Sequence, residues 1–109
     1  MNKTNKKAPH IAIGKECYIN HDELFNYFKN AVKHAEKELD KELERFKKNP
    51  SEEESKWIIR YTNMFNEQLW GQLLMIRNLN CISEGKYKWW SDYIRREIFC
   101  KYTNAVIIY

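Results

Sequence analysis

A chain of 109 residues provides for one domain with a single core. Its 43% hydrophobic and 15% aromatic content, with only three Gly and two Pro, excludes an all-β fold built on many tight turns and argues against long loops. Nineteen basic against 15 acidic residues leave a net charge of +4, milder and less one-sided than that of a dedicated nucleic-acid binder, and enough only for a weak preference for anionic partners.

Lys outnumbers Arg 14 to 5, and Asn, Ile and Tyr are abundant. An AT-rich coding sequence produces this bias, so a low-GC bacterium or one of its phages is the expected source. Residues 1–9 (MNKTNKKAP) are basic, but no apolar h-region follows, so no secretory signal is read. No apolar run approaches the roughly 20 residues of a membrane span. Cys17, Cys81 and Cys100 form an odd set without disulfide-framework spacing, which points to a reducing cytoplasm.

In chain order, residues 1–9 read as a flexible basic tail ahead of a single helical domain over 10–109. The stretch HIAIGKECYI (residues 10–19) has Ile11 and Ile13 in alternation, with Cys17 and Ile19 repeating it. A short strand or hairpin is expected there. A first helix opens at Asn20 or His21, with Asp22 and Glu23 in its first turn, and runs over residues 20–48. Leu24, Phe28, Ala31, Ala35, Leu39, Leu43 and Phe46 fall on one face of it. Beyond Lys33 this stripe narrows to a seam with charged flanks, as in a coiled coil.

Asn49-Pro50 ends that helix, because Pro50 has no N–H and pushes Asn49 out of the α region. Ser51 with Glu54 reads as a capping box, and Glu52, Glu53 and Glu54 place three acids where the helix dipole favours them. A second helix over residues 51–79 follows, and the two form an antiparallel hairpin. Trp57, Ile58, Ile59, Tyr61, Met64, Phe65, Leu69, Trp70, Leu73, Leu74, Met75, Ile76 and Leu79 cover more than one of its faces. One hairpin partner cannot cover them all, so the third segment, a second subunit or a target must do so. Gly71, which costs about 1 kcal/mol against Ala inside a helix, marks a candidate close approach of another helix.

Residues 80–85 read as a connector turning at Ser83-Glu84-Gly85. A third helix over 86–102 has Trp90, Ile94, Ile98 and Tyr102 at strict i+4 spacing, flanked by Trp89, Tyr93 and Phe99. The β-branched run after Asn104 reads as a terminal strand, able to pair with residues 11–13 or 17–19. The expected fold is therefore mainly α (α+β): a long antiparallel hairpin plus a third helix, with short strands at both ends.

No motif for chemistry stands out. His10, His21 and His34 with the three cysteines contain no closely spaced ligand pair, so no metal is expected. There is no Gly-rich phosphate loop, no GxSxG and no paired-carboxylate pattern, so no catalytic residue is named, no cofactor is expected and the chain reads as a non-enzyme. The row Lys29, Lys33, Lys37, Lys41 and Arg45 is flanked on both sides by acids and reads as a solvated face.

What remains is a surface for contact. Aromatics and Arg are the usual anchors of protein interfaces, and Trp57, Tyr61, Trp70, Leu73, Trp89 and Trp90 are the candidate interaction residues. They point to a small cytoplasmic protein-interaction module that self-associates or docks on a larger protein, as a phage or mobile-element regulator or inhibitor would. One alternative is a nucleic-acid binder using Lys86, Lys88, Arg95, Arg96 and Lys101 interleaved with Trp89 and Trp90. Another is an oligomeric binder of a small anion such as a nucleotide, held by Arg60, Arg77, Arg95 and Arg96 near Trp57 and Trp70.

Overall fold

A computed structural model describes the backbone of residues 10–13 and 17–107 and the side chains of residues 20–107. The expected basic tail, residues 1–9, lies outside the described residues.

Helix α1 spans His21–Lys48. Asn20 caps it, its buried side chain accepting the Asp22 N–H at 2.7 Å. Leu24, Phe28, Val32, Ala35, Leu39 and Phe46 form its buried stripe. Pro50 stops the chain as expected, and α2 spans Glu52–Asn78. Ser51 Oγ accepts the Glu54 N–H at 3.1 Å, which is one half of a capping box. On the Glu54 side, Oε2 is buried without a hydrogen-bond partner. Ile58, Thr62, Phe65, Leu69, Leu73 and Ile76 of α2 face the core against α1.

Helix α2 ends in a Schellman turn. Asn80 takes the left-handed conformation at φ 59°, the Cys81 N–H donates to the Ile76 carbonyl and the Asn80 N–H to the Arg77 carbonyl, both at 3.0 Å. The connector is therefore shorter than the sequence suggested. Ser83 is an N-cap, accepting the Lys86 N–H at 3.1 Å, and Gly85 lies inside the helix.

The third layer is one helical rod in three parts: α3 (Glu84–Tyr93), a π-helical segment (Ile94–Cys100) and α4 (Lys101–Ile107). The backbone stays right-handed helical through both junctions, at Ile94 and at Lys101. Ile94, Ile98, Tyr102 and Val106 are fully buried along it. The terminal strand read after Asn104 is thus corrected: residues 101–107 are helical. Val106 continues the i+4 row by one step and packs on Phe46 and Ile58, while Ser55 Oγ donates to the Val106 carbonyl at 3.2 Å. Burial of Val106 outweighs the weak β preference of the run, since propensity yields to tertiary packing.

At the other end, His10–Ile13 (β1) pairs antiparallel with Cys17–Asn20 (β2), Ile11 opposite Ile19. Among the described residues the sheet expected to join the two chain ends is not formed, because its C-terminal partner is helical as far as Ile107; residues 108–109 of the expected strand lie outside the described residues. The described part of the molecule is a mainly α arrangement in which α1, α2 and the rod share one core.

Two tyrosines lock the rod to α1. Tyr93 Oη donates to the Glu36 carboxylate. Tyr102 Oη donates to Asp40 Oδ1 at 2.6 Å and lies 3.4 Å from the Glu36 carbonyl. The Glu36 hydrogen bond, burial and the nearby carboxylate charge push the Tyr93 phenol up to about 12. Burial and the bond to Asp40 raise Tyr102 further.

Candidate functional site

The predicted interaction residues separate into three environments. Leu73 is fully buried between α2 and its neighbours, so it belongs to the core rather than to any docking surface. Trp90 is half-buried, its ring edge-on to Phe25 and Phe28 at 6.2 and 5.3 Å. Trp70 is half-buried against Tyr87 on the far side of α3. Trp57, Tyr61 and Trp89 remain at the surface, Tyr61 in part.

Trp57 begins a mostly apolar line on the outer face of α2. The ring stacks on Tyr61 at 5.1 Å, and its Nε1 donates to Glu42 of α1 at 3.2 Å. Continuing at alternating four- and three-residue steps are Met64, Gln68, Gly71 and Met75, all exposed. Trp57, Met64 and Met75 keep 46%, 40% and 45% of their surface in solvent, and Leu74 beside them keeps 43%. The sequence expected Gly71 to mark a close approach. Among the described residues it does not: a Cβ there would meet none of them within 4 Å. The small side chain serves no contact inside this fold.

Trp89 belongs to a second surface, a groove of about 420 Å³ between α1 and α3. Asn26, Lys29, Asn30, Lys33 and Glu36 form one wall, Trp90 and Tyr93 the other. Trp89 stacks on Tyr93 at 5.5 Å outside it, and Lys86 and Lys29 sit over the Phe25 ring at 5.4 and 4.7 Å. Sequence reading discounted Lys29 and Lys33 as a neutralised row. Only the packing of α3 against α1 sets them opposite the aromatic pair.

The remaining cations are mostly tied down. Arg95 and Arg96 both bind Asp92, and Arg96 also reaches Glu97 at 3.3 Å. Arg77 makes two bonds to Glu84, at 3.0 and 3.2 Å, and lies over Tyr87. These bonds hold the Asp92 and Glu84 carboxyls below their ordinary range. Lys101 lies over Tyr102, and Lys88 lines a shallow groove with Trp70, Ser91 and Arg95. Arg60 is exposed on α2 and makes no ion pair among the described residues. Of the five arginine and lysine sites named for anion binding on the rod, only Lys88 and Arg95 share a groove, while Arg77 is held at the start of the rod by Glu84 and Arg60 lies on α2.

Among the described residues, no three His, Cys, Asp or Glu gather in a metal-binding group, and no helix is long and apolar enough to cross a membrane. Cys81 and Cys100 are free and half-buried, and burial raises the Cys81 thiol. No protein family matches the chain, and neither a curated protein nor a solved structure is significantly similar to it.

Proposed function

We propose that this protein acts by contact: it is a small cytoplasmic protein-interaction module that docks, through the outer face of α2, on a protein surface. Regulation or inhibition of that partner would be its output, and the AT-rich composition suits a phage or mobile-element setting. One observation carries the reading. Trp57, Tyr61, Met64, Gly71 and Met75, interrupted only by Gln68, make a stripe about five turns long that the described residues leave exposed, Tyr61 in part, with a glycine in it that no contact among them requires. A rigid Trp–Tyr stack and flexible Met suit a contact surface, since the rings supply apolar area at low ordering cost and Met adapts its shape to what it meets.

The test is affinity purification of the tagged protein with nuclease treatment, comparing the natural chain with Met64→Lys. Both should give the same far-UV circular dichroism, because residue 64 is exposed. A stoichiometric protein, either a target or an untagged copy, should be retained by the natural chain and lost by the variant. Equal retention by both would end the assignment to this face.

The α1–α3 groove supports a second reading, binding of nucleic acid or a small anion. Here the specific observation is Lys29 and Lys33, one turn apart, facing Trp90 and Tyr93. Such binding would weaken steeply with salt and with Lys29→Glu/Lys33→Glu. Titration of a single-stranded oligonucleotide and of a mononucleotide by tryptophan fluorescence would decide it, and a flat response at low salt would discard it.

A further inference from the structure

Building on the contact reading, we infer that the occupant of the α2 face is a second copy of this chain, laid antiparallel in one particular register. The stripe Trp57, Tyr61, Met64, Gln68, Gly71, Met75 has the 4-3-4-3-4 spacing of a coiled-coil seam. Two such seams can pair antiparallel only in registers that differ by heptad steps. The charges beside the seam choose among them.

Arg60 and Glu67 occupy equivalent positions on the same flank, one heptad apart. Both are exposed, and neither has an ion-pair partner among the described residues. Consider the register that sets Tyr61 against Met64 of the second copy. Trp57 then faces Gln68, and the two-fold axis repeats both layers. Arg60 meets the second copy's Glu67, and Glu67 meets its Arg60, so two opposite-charge pairs close at once. Moving one heptad in one direction sets Glu67 against Glu67. Moving one heptad in the other sets Arg60 against Arg60 and Glu53 against Glu67. Both alternatives juxtapose like charges, which disfavours them. A parallel pairing would set Arg60 beside Phe65 and Glu67 beside Gln72, with no charge pair at all.

The same register accounts for Gly71. It falls opposite Glu54 of the second copy, next to that copy's Ser51 cap and the hairpin turn at Pro50. A turn is broader than a helix, and a position without a side chain lets it approach. The overlap runs from residue 54 to residue 71, about 26 Å of helix. That is short for a permanent dimer, so association should depend on concentration and sit in the weaker class of interfaces.

The experiment is sedimentation equilibrium on the full chain over a wide concentration range. The natural chain should move from monomer to dimer. Arg60→Glu and Glu67→Arg should each weaken the dimer by about tenfold or more, since each sets like charges together twice. The double variant Arg60→Glu/Glu67→Arg should recover affinity to within a few fold. Both positions are exposed, so every variant should keep the fold of the natural chain, which circular dichroism checks. A dimer indifferent to both single reversals, or a double variant no better than the singles, overturns the register. A chain that stays monomeric at every concentration overturns the second copy as occupant. If Met64→Lys still loses a captured partner in that case, the contact reading stands without this inference; if nothing is lost, both fall.

Discussion

The hairpin and the rod bury the same kinds of residue by different arithmetic. In α1, Leu24, Phe28, Val32, Ala35, Leu39, Leu43 and Phe46 take six steps over 22 residues, about 3.7 per step and close to the α-helical period. In α2, Ser55, Ile58, Thr62, Phe65, Leu69, Leu73 and Ile76 take six steps over 21 residues, or about 3.5, the coiled-coil period. Both fit an α-helix with little distortion. The rod does not. Trp90, Ile94, Ile98, Tyr102 and Val106 repeat strictly every four residues. On an ideal α-helix each such step drifts by about 40°, and four steps by about 160°, which would carry Val106 to the opposite side from Trp90. A π-helix closes its bonds one residue later and turns more slowly per residue. Seven residues of it, Ile94–Cys100, take up the drift and keep Ile94, Ile98, Tyr102 and Val106 against the hairpin. The difference teaches that a strict four-residue repeat, unlike one of about 3.7, selects a wider helix rather than a rotated one, when the core gained is large enough.

Adding one residue to the π segment should break that arrangement most severely. Inserting one alanine after Arg95, an exposed residue, adds about 100° of turn and carries Tyr102 and Val106 away from α1 and α2. Losing the burial of a core aromatic costs about 3–5 kcal/mol, so urea denaturation should show at least that loss or no cooperative transition. Arg95→Ala keeps the register and loses only surface bonds to Asp92. It should stay within about 0.5 kcal/mol of the natural chain. Similar losses for the two variants would mean the repeat does not depend on the π turn.

The next effect tests what holds the rod in place once its register is right. Tyr102→Phe keeps the ring in the core and removes only the hydroxyl that bonds Asp40. A hydrogen bond to a charged group is worth about 1.5–3 kcal/mol, and thermal unfolding should show a loss in that range. A neutral result would assign the rod's attachment to apolar packing alone.

These two regions also differ in how far they could be read in advance. The hairpin was legible because its signals are local: Asn20 and Ser51 as caps, Pro50 as breaker, and apolar steps near 3.6. Ser83 was missed as a cap because Gly85 beside it looks like a turn residue. The end of the rod was missed because Ala105, Val106 and Ile107 are β-branched or small, and only the i+4 row through Val106 argued for helix. On the surface, Trp57 and Tyr61 were legible as contact residues by type. Leu73 was indistinguishable from Leu74 by type, yet one is in the core and the other in solvent. The pairing of Lys29 and Lys33 with Trp90 and Tyr93 depends on how α3 crosses α1, which no local pattern encodes.

Alkaline pH should loosen the rod before the hairpin. Tyr93 has its phenol pushed up to about 12 in the fold, against about 10 in an unfolded chain. A raised folded value means its contribution is fully present below pH 10 and is lost as pH rises through 12. Tyr102 shifts in the same direction. Stability measured between pH 9 and pH 12 should therefore decline, and Tyr93→Phe should flatten part of that decline. The hairpin has no tyrosine bonded to a carboxylate across its helices, so its own contacts should not titrate there. An equal pH slope in Tyr93→Phe and the natural chain would remove the Tyr93–Glu36 bond as the cause.

The smallest change expected runs in the opposite direction and sits in the hairpin. Thr62 is fully buried on the core face of α2, and its Oγ1 has no hydrogen-bond partner. The other core positions of that seam, apart from Ser55 at its start, are apolar, and Ser55 is satisfied by the Val106 carbonyl. A buried hydroxyl without a partner keeps its desolvation penalty, and a methyl of nearly the same size does not. Thr62→Val should therefore raise stability by about 1 kcal/mol, read as a higher midpoint in urea at an unchanged slope. Ser55→Ala, which also removes a hydroxyl on the same face, should lower it, because there the Val106 carbonyl is left buried and unpaired. Opposite signs for two hydroxyl deletions about two turns apart would show that hydrogen-bond satisfaction, rather than polarity as such, decides what this seam tolerates.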